Sequence, residues 1–234
     1  MRRQETISVI IPALNEEENI ASTLSGLIEE EVEVIVVDGG SSDRTASIAR
    51  EYGAEVISAP TGRTGQMNKG ARKARGEIFL FLHSDSRLPK GFSLLVRECL
   101  ARKGVVGGAF SLQIDAVGTG LRFIEKTANW RASHLQLPYG DQAIFLSAAT
   151  FGMLGGFREI PIMEDLCLVR ELQKRGRIAL LPQKVLTSGR RWQHLGVFKT
   201  TLINQLLVFG FFLGVAPDLL ARLYYGSRQG GKHR

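Results

Sequence analysis

Cysteine is scarce in this chain of 234 residues: there are two, Cys99 and Cys167, far apart and flanked by apolar neighbours. They can form neither a disulfide framework nor a thiolate metal site, and both read as core residues in a reducing compartment. Long apolar runs are also lacking. The stretch of apolar residues and glycine from Leu206 to Ala216 has eleven members, about half of the ~20 that a membrane-spanning helix requires, so no spanning helix is expected. The basic start, Met1 to Glu5, passes straight into Ile7 to Ile11. That run is too short for a signal-peptide core and no small-residue cleavage site follows, so the expected location is cytoplasmic. A G-x-G-x-x-G turn is missing too. Ile11-Pro12-Ala13-Leu14-Asn15 stands after the first apolar run and excludes the phosphate loop of a nicotinamide-dependent oxidoreductase.

Acid is nearly absent from the end of the chain. From Thr187 onward Arg190, Arg191, Lys199, Arg222, Arg228, Lys232 and Arg234 face the single acid Asp218, so this segment carries most of the formal charge of +7. No aromatic-interleaved basic motif accompanies it, which argues against nucleic acid and leaves anionic lipid, a pyrophosphate or plain solvation as readings.

What is present is an ordinary globular composition, 44% hydrophobic and 23% charged, sized for one sizeable core. The first half alternates short apolar runs with helical patterns, the mark of βαβ units and a mostly parallel sheet. Strands are expected at Ile7 to Ile11, Val32 to Val37, Glu55 to Ser58 and Ile78 to Leu82. Helices are expected through Ile20 to Ile28 with Asn15 as cap, through Ile48 to Tyr52, and through Met67 to Ala74. Asn15, Asp38 and Asp85 then fall just beyond strand ends, where open α/β sheets bind ligands. Further on, Val105 to Ile114 reads as a strand whose Gly107-Gly108 pair allows a backbone bulge or the close approach of a ligand. Leu121 to Leu135 reads as a helix and Ala143 to Leu146 as a short strand. Another helix opens at Met163-Glu164-Asp165.

Val9-Ile10-Ile11-Pro12-Ala13-Leu14-Asn15-Glu16-Glu17 followed by Val36-Val37-Asp38-Gly39-Gly40-Ser41-Ser42-Asp43 resembles the opening of a family 2 glycosyltransferase. Asn68-Lys69-Gly70-Ala71, Phe81-Leu82-His83-Ser84-Asp85, Gly155-Gly156-Phe157 and Met163-Glu164-Asp165 continue the resemblance in the family's order. It implies a GT-A fold: an α/β nucleotide-diphospho-sugar transferase with a mostly parallel central sheet flanked by helices, catalytic over residues 1–192, with a helical C-terminal extension over 193–234. Within the family the pattern is similar to small bacterial transferases near the diaponeurosporenoate glycosyltransferases, whose acceptor is a carotenoid acid.

The same resemblance implies the site. A nucleotide diphosphate sugar, taken as a uridine one, would meet Pro12, Asn15, Glu16, Asp38, Asn68, His83, Ser84 and Asp85. Asp165, paired with Glu164, would be the general base of an inverting transfer, and Asp141 and Gln142 would face the acceptor. Asp85 matches the last position of the family's Asp-x-Asp motif and would ligate Mg²⁺ or Mn²⁺, since hard cations select oxygen and bridge substrate phosphates. His83 replaces the first aspartate, which disturbs the metal choice. Arg191 and Trp192 match part of the Gln-x-x-Arg-Trp motif of processive members, with Ser188 where the glutamine would stand. Arg190 and Arg191 would then reach the pyrophosphate, the alternative being ordinary surface arginines, and Trp192 would reach the acceptor. For the tail two readings stand: peripheral contact with the inner face of a membrane or a lipid-like acceptor, and packing on the catalytic domain or on a second subunit. The rival to an enzyme is a non-catalytic nucleotide-sugar-binding or membrane scaffold protein.

Overall fold

The computed structural model describes residues 4–229. Eight strands form one sheet in the order β3-β2-β1-β4-β7-β6-β8-β5. The first four are β1 (Ile7–Ala13), β2 (Val32–Asp38), β3 (Glu55–Ser58) and β4 (Ile78–Phe81), all parallel neighbours. They are linked by α1 (Ile20–Ser25), α2 (Thr45–Glu51) and α3 (Arg63–Lys73). Side chains alternate across the sheet, as pleating requires. Ile7, Val9, Ile11, Leu80 and Leu82 meet Ile20 and Leu24 of α1 and Phe92 and Val96 of α4 (Phe92–Leu100) on one face. Ile10, Val37, Phe79 and Phe81 meet Met67 and Ala71 of α3 on the other.

The remaining strands are β5 (Ser86–Arg87), β6 (Val105–Asp115), β7 (Phe145–Ser147) and β8 (Arg177–Ser188). Strand β7 is antiparallel to both β4 and β6, so the sheet is mixed beyond its parallel half. The register of β6 on β8 shifts at Val105/Gly107, where the glycine pair suggested a bulge. Gly108 is required by packing: a Cβ there would stand 2.4 Å from Phe145 Cζ. A second shift puts Phe110 opposite Leu181 but Ser111 opposite Lys184, leaving Pro182 and Gln183 out of the ladder. That interruption hid β8 from a sequence reading, because proline argues against an inner strand.

Helices α5 (Thr119–His134), α6 (Ala148–Met153) and α7 (Glu164–Gln173) cover the second half. Next come α8 (Arg190–Leu195), α9 (Val197–Phe212) and α10 (Pro217–Gln229). The C-terminal helices pack on the rest of the fold. Val197 and Trp192 pack against Leu112, Ile114 and Leu121, while Leu207, Leu220 and Ala221 enclose Ile162. Their outer side is apolar yet exposed, at Leu202, Leu206, Phe209, Leu213 and Leu223. Among the described residues no helix is long and apolar enough to cross a membrane. Lys232 and Arg234, counted above in the basic tail, lie outside the described residues.

Candidate functional site

The carboxyl ends of β1 and β2 build one wall. Asn15 does not cap α1, which begins at Ile20; it takes a left-handed backbone, φ 52°. Its N–H donates to Ser41 Oγ at 2.9 Å and its Oδ1 accepts from the Ser42 N–H at 2.9 Å. The buried Asp38 carboxylate accepts from the N–H groups of Gly40 and Ser41. Both residues hold the turn that shapes the crevice. Asn68 has a similar duty: its amide donates to the Phe157 carbonyl and accepts from the Phe157 N–H, each at 2.9 Å. This clamp fixes the Gly155-Gly156 turn, whose φ values of 76° and 82° are the left-handed kind that favours glycine.

The end of β4 presents His83, Ser84 and Asp85 in different directions. Ser84 is buried, and its carbonyl accepts from Thr23 Oγ1. Asp85 faces Arg190, whose Nη2 lies 3.7 Å from Asp85 Oδ2 and 2.7 Å from Glu16 Oε2. Burial raises the Glu16 carboxyl above its ordinary value, and the Arg190 contact opposes that rise. Among the described residues no group of three or more His, Cys, Asp or Glu side chains is gathered as for a metal ion. Glu16 and Asp85, from separate strand ends, converge on Arg190 as a two-carboxylate ion pair, and carboxylate oxygen is the ligand type that Mg²⁺ or Mn²⁺ takes. His83 is turned elsewhere.

His83 lines a small, nearly filled cleft with Pro12, Arg63, Met67, Phe81, Gly140, Phe157, Glu164 and Asp165. Its floor is aromatic, with the rings of Phe81 and Phe157 edge-to-face at 4.7 Å. Its rim is polar and tightly fitted. Asp165 Oδ2 accepts from the Gly140 N–H at 2.6 Å and Oδ1 from the Leu166 N–H at 2.7 Å, so both oxygens are oriented. A side chain at Gly140 would place Cβ 3.0 Å from His83 Nε2 and 3.2 Å from Asp165 Oδ2. Met163, just before the acidic pair, has φ 67°, and Ala143, just after the turn Gly140–Gln142, has φ 51°. Left-handed non-glycine residues beside functional groups are a recurrent form of stored strain.

Burial and the neighbouring Asp165 charge push the Glu164 carboxyl up to about 7, against the pull of Arg63. Burial likewise raises Asp141, whose Oδ1 is buried without a hydrogen-bond partner. Burial, helped by Arg63, lowers the His83 imidazole well below its usual value, which makes it neutral at pH 7. The cavity thus holds an oriented carboxylate, a protonatable carboxyl and a neutral imidazole on one rim. Perturbed groups gathered in a cleft are the physical signature of chemistry.

Several residues stand apart from this cluster. Gln142, expected at the acceptor, is completely buried. Its amide bonds Phe110, Asn129, Arg131 and Tyr139, which makes it a core fastener. Trp192 packs on the β6–α5 cluster and is not among the cavity-lining residues. The side chain of Arg191 lies outside the described residues. Arg63, Gly140 and the ion-pairing role of Arg190 were not singled out from sequence. The one available hint was the position of Arg63 in a glycine-bearing loop before α3.

Known proteins share parts of this sequence and its fold. The chain is 38% identical over 94 residues to a 4,4'-diaponeurosporenoate glycosyltransferase of Staphylococcus haemolyticus, a match covering 36% of this chain and 25% of the relative. A Staphylococcus aureus protein of the same name is 46% identical over 55 residues, 23% of this chain and 15% of that one. The matches therefore span a quarter or less of these relatives' length. Among solved structures, S. aureus TarS 1-349 in complex with UDP superposes with a TM-score of 0.63 at 21% identity, over 78% of this chain and 60% of that one. Glucosyl-3-phosphoglycerate synthase from Mycobacterium tuberculosis, with Mn²⁺, UDP and glucosyl-3-phosphoglycerate, gives 0.61 at 24% identity, over 87% and 79%. At these identities the superpositions establish the GT-A fold. The family model "Glycosyl transferase family 2" matches residues 8–151, more than half of the chain and most of the strand ends that build the crevice, and the protein belongs to that family.

Proposed function

We propose that the protein is an inverting glycosyltransferase that moves a sugar from a nucleotide diphosphate sugar, taken as a uridine one, to an acceptor hydroxyl activated by Asp165. The observation that carries this reading is the fixed Asp165 carboxylate on the rim of an aromatic-floored cavity, 2.6 Å from the Gly140 N–H. A general base must reach hydrogen-bond distance of the hydroxyl it deprotonates, in a geometry set beforehand. Asp165, in the first turn of α7, is set by two backbone donors. Glu164, mostly protonated below pH 7, leaves Asp165 as the proton acceptor of the pair. Neutral His83 and the Arg63 guanidinium supply a hydrogen-bonding group and a positive charge beside the reacting sugar and its departing diphosphate. Asp85 would hold Mg²⁺ or Mn²⁺, which neutralises diphosphate charge when bound.

The acceptor is proposed to be lipid-like. The exposed apolar outer side of α9 and α10, with Lys199 and Arg222 near it, suits peripheral contact with an anionic membrane. A carboxylate acceptor would need little help from Asp165, being already ionised. Asp165→Asn tests the reading. It should retain nucleotide-sugar binding by calorimetry yet transfer to a hydroxyl acceptor ~10²–10⁴-fold more slowly. Transfer at the parent rate would leave Asp165 as a helix-terminal structural residue, and a wild-type protein that binds UDP-sugars without ever transferring them would favour the scaffold alternative.

A further inference from the structure

Residues 154–163 join α6 to α7 without regular structure, and Asp165 stands just beyond them. The connection is tied down at successive points. The Asn68 amide holds Phe157, and Thr64 Oγ1 donates to the Ile160 carbonyl at 2.9 Å. The last point, Ile162, is held from the other end of the chain. Leu207 of α9 and Leu220 and Ala221 of α10 enclose it, and Met163 packs against the same cluster. Farther along α7, the Arg170 guanidinium lies 5.2 Å from the centre of the Phe212 ring of α9. We propose that the C-terminal helix pair is a positioning element of the site: its inner side holds Ile162 and Met163 in the form that sets Asp165 against the Gly140 N–H. The proposal rests on the reading of Asp165 as the base, and it makes α9 and α10 a requirement of the transfer rather than an appended segment.

The backbone at Met163 is what gives this packing its consequence. Met163 immediately precedes Glu164 and has φ 67°, a left-handed conformation that a non-glycine residue keeps only where its surroundings over-determine it. Its own side chain gives α7 no capping hydrogen bond. Thr64 acts at Ile160 and Asn68 at Phe157, both upstream of the turn. The contact of Ile162 and Met163 with the tail is therefore the restraint that lies at the turn itself. Were Met163 to relax to an ordinary negative φ, the first turn of α7 would rotate and Asp165 Oδ2 would leave its 2.6 Å bond with the Gly140 N–H. A misplacement of about 1 Å at a reacting group slows a reaction on the order of a hundredfold.

Amide hydrogen exchange of the full chain tests the proposal without any substrate, because the Gly140 N–H reports its bond to Asp165 directly. I162A, L207A and L220A should each speed exchange at Gly140 by about tenfold or more, through local opening of the turn. V96A, an equally buried truncation in α4 on the opposite face of the sheet, should leave that amide close to its wild-type rate. Turnover is read with UDP-glucose and Mn²⁺, water taking the acceptor's place to give UDP and glucose. I162A and L207A should lower kcat by about tenfold to a hundredfold with little change in KM for UDP-glucose, and the conservative I162V should restore it. I162A combined with L207A should be no slower than the slower single variant, since both release the same turn. The proposal is overturned if Gly140 exchange is unchanged in L207A and L220A, if V96A accelerates it equally, or if the losses in kcat multiply. Transfer by D165N at the parent rate would overturn the reading of Asp165 as the base, while the exchange measurement would still decide whether the tail holds the turn.

Discussion

Glu164→Gln separates the electrostatics of the acidic pair from its shape. Glu164 is buried beside Asp165, and burial together with that charge lifts its carboxyl from 4.5 to about 7. A raised carboxyl makes the folded protein bind more protons than the unfolded chain between the two values. The stability it contributes is complete below about 4.5 and is lost as pH rises through 7. At ~1.4 kcal/mol per pH unit, the loss amounts to about 3 kcal/mol at most. The glutamine variant has no such titration. Its stability relative to wild type should therefore improve by up to about 3 kcal/mol between pH 4.5 and 8.5, or about 6–12 °C in Tm for a chain of this size. The buried amide has its own fixed cost, so the absolute difference at any one pH decides nothing. The other raised carboxyls, Glu16 and Asp141, are present in both proteins and cancel in the comparison. Urea unfolding of the two proteins across that pH range is the assay. A stability difference that stays constant with pH would mean that Glu164 is not held protonated, and the division of labour with Asp165 would fall.

Three further outcomes are expected. Asn68→Ala removes both bonds to the buried Phe157 backbone and should cost about 2–4 kcal/mol at roughly 1–2 kcal/mol for each orphaned group; denaturant titration checks it, and a loss below 1 kcal/mol would mean that the turn does not depend on the clamp. Gly140→Ala pushes a methyl against His83 and Asp165 and should slow transfer about tenfold to a hundredfold with little change in nucleotide affinity, since small misplacements of reacting groups act on that scale; steady-state kinetics with calorimetry would show it. Finally, wild-type protein should sediment with anionic vesicles and only partly release in high salt, because apolar insertion is not screened. Phe209→Glu with Leu213→Glu, both on the exposed side of the tail, should abolish that binding without unfolding the protein, and a wild-type chain that stays in the supernatant would point to a protein partner for this surface.

The amino-acid pattern by itself determined the parallel half of the sheet. β1, β2, β3 and β4 are short apolar runs between turn residues, and local alternation is enough to define such strands. It also placed Asn15, Asp38 and Asp85 at strand ends, because a strand's polar terminus is a local property. The second half was less legible. β5 has only two residues and β8 is interrupted at Pro182, so both exist through pairing with distant partners rather than through their own periodicity. The division of roles among the site residues was decided by tertiary contacts alone. Asn68 and Gln142 are polar residues whose hydrogen bonds are taken up by backbone and side chains far along the chain. His83 and Asp85 are two positions apart, yet one lines the cavity and the other pairs with Arg190. Arg63 and Arg190 became part of the site only when folding brought α3 and α8 to the strand ends. A side chain's type is fixed locally, but its charge state and its partner depend on burial and on what the fold brings within a few ångströms.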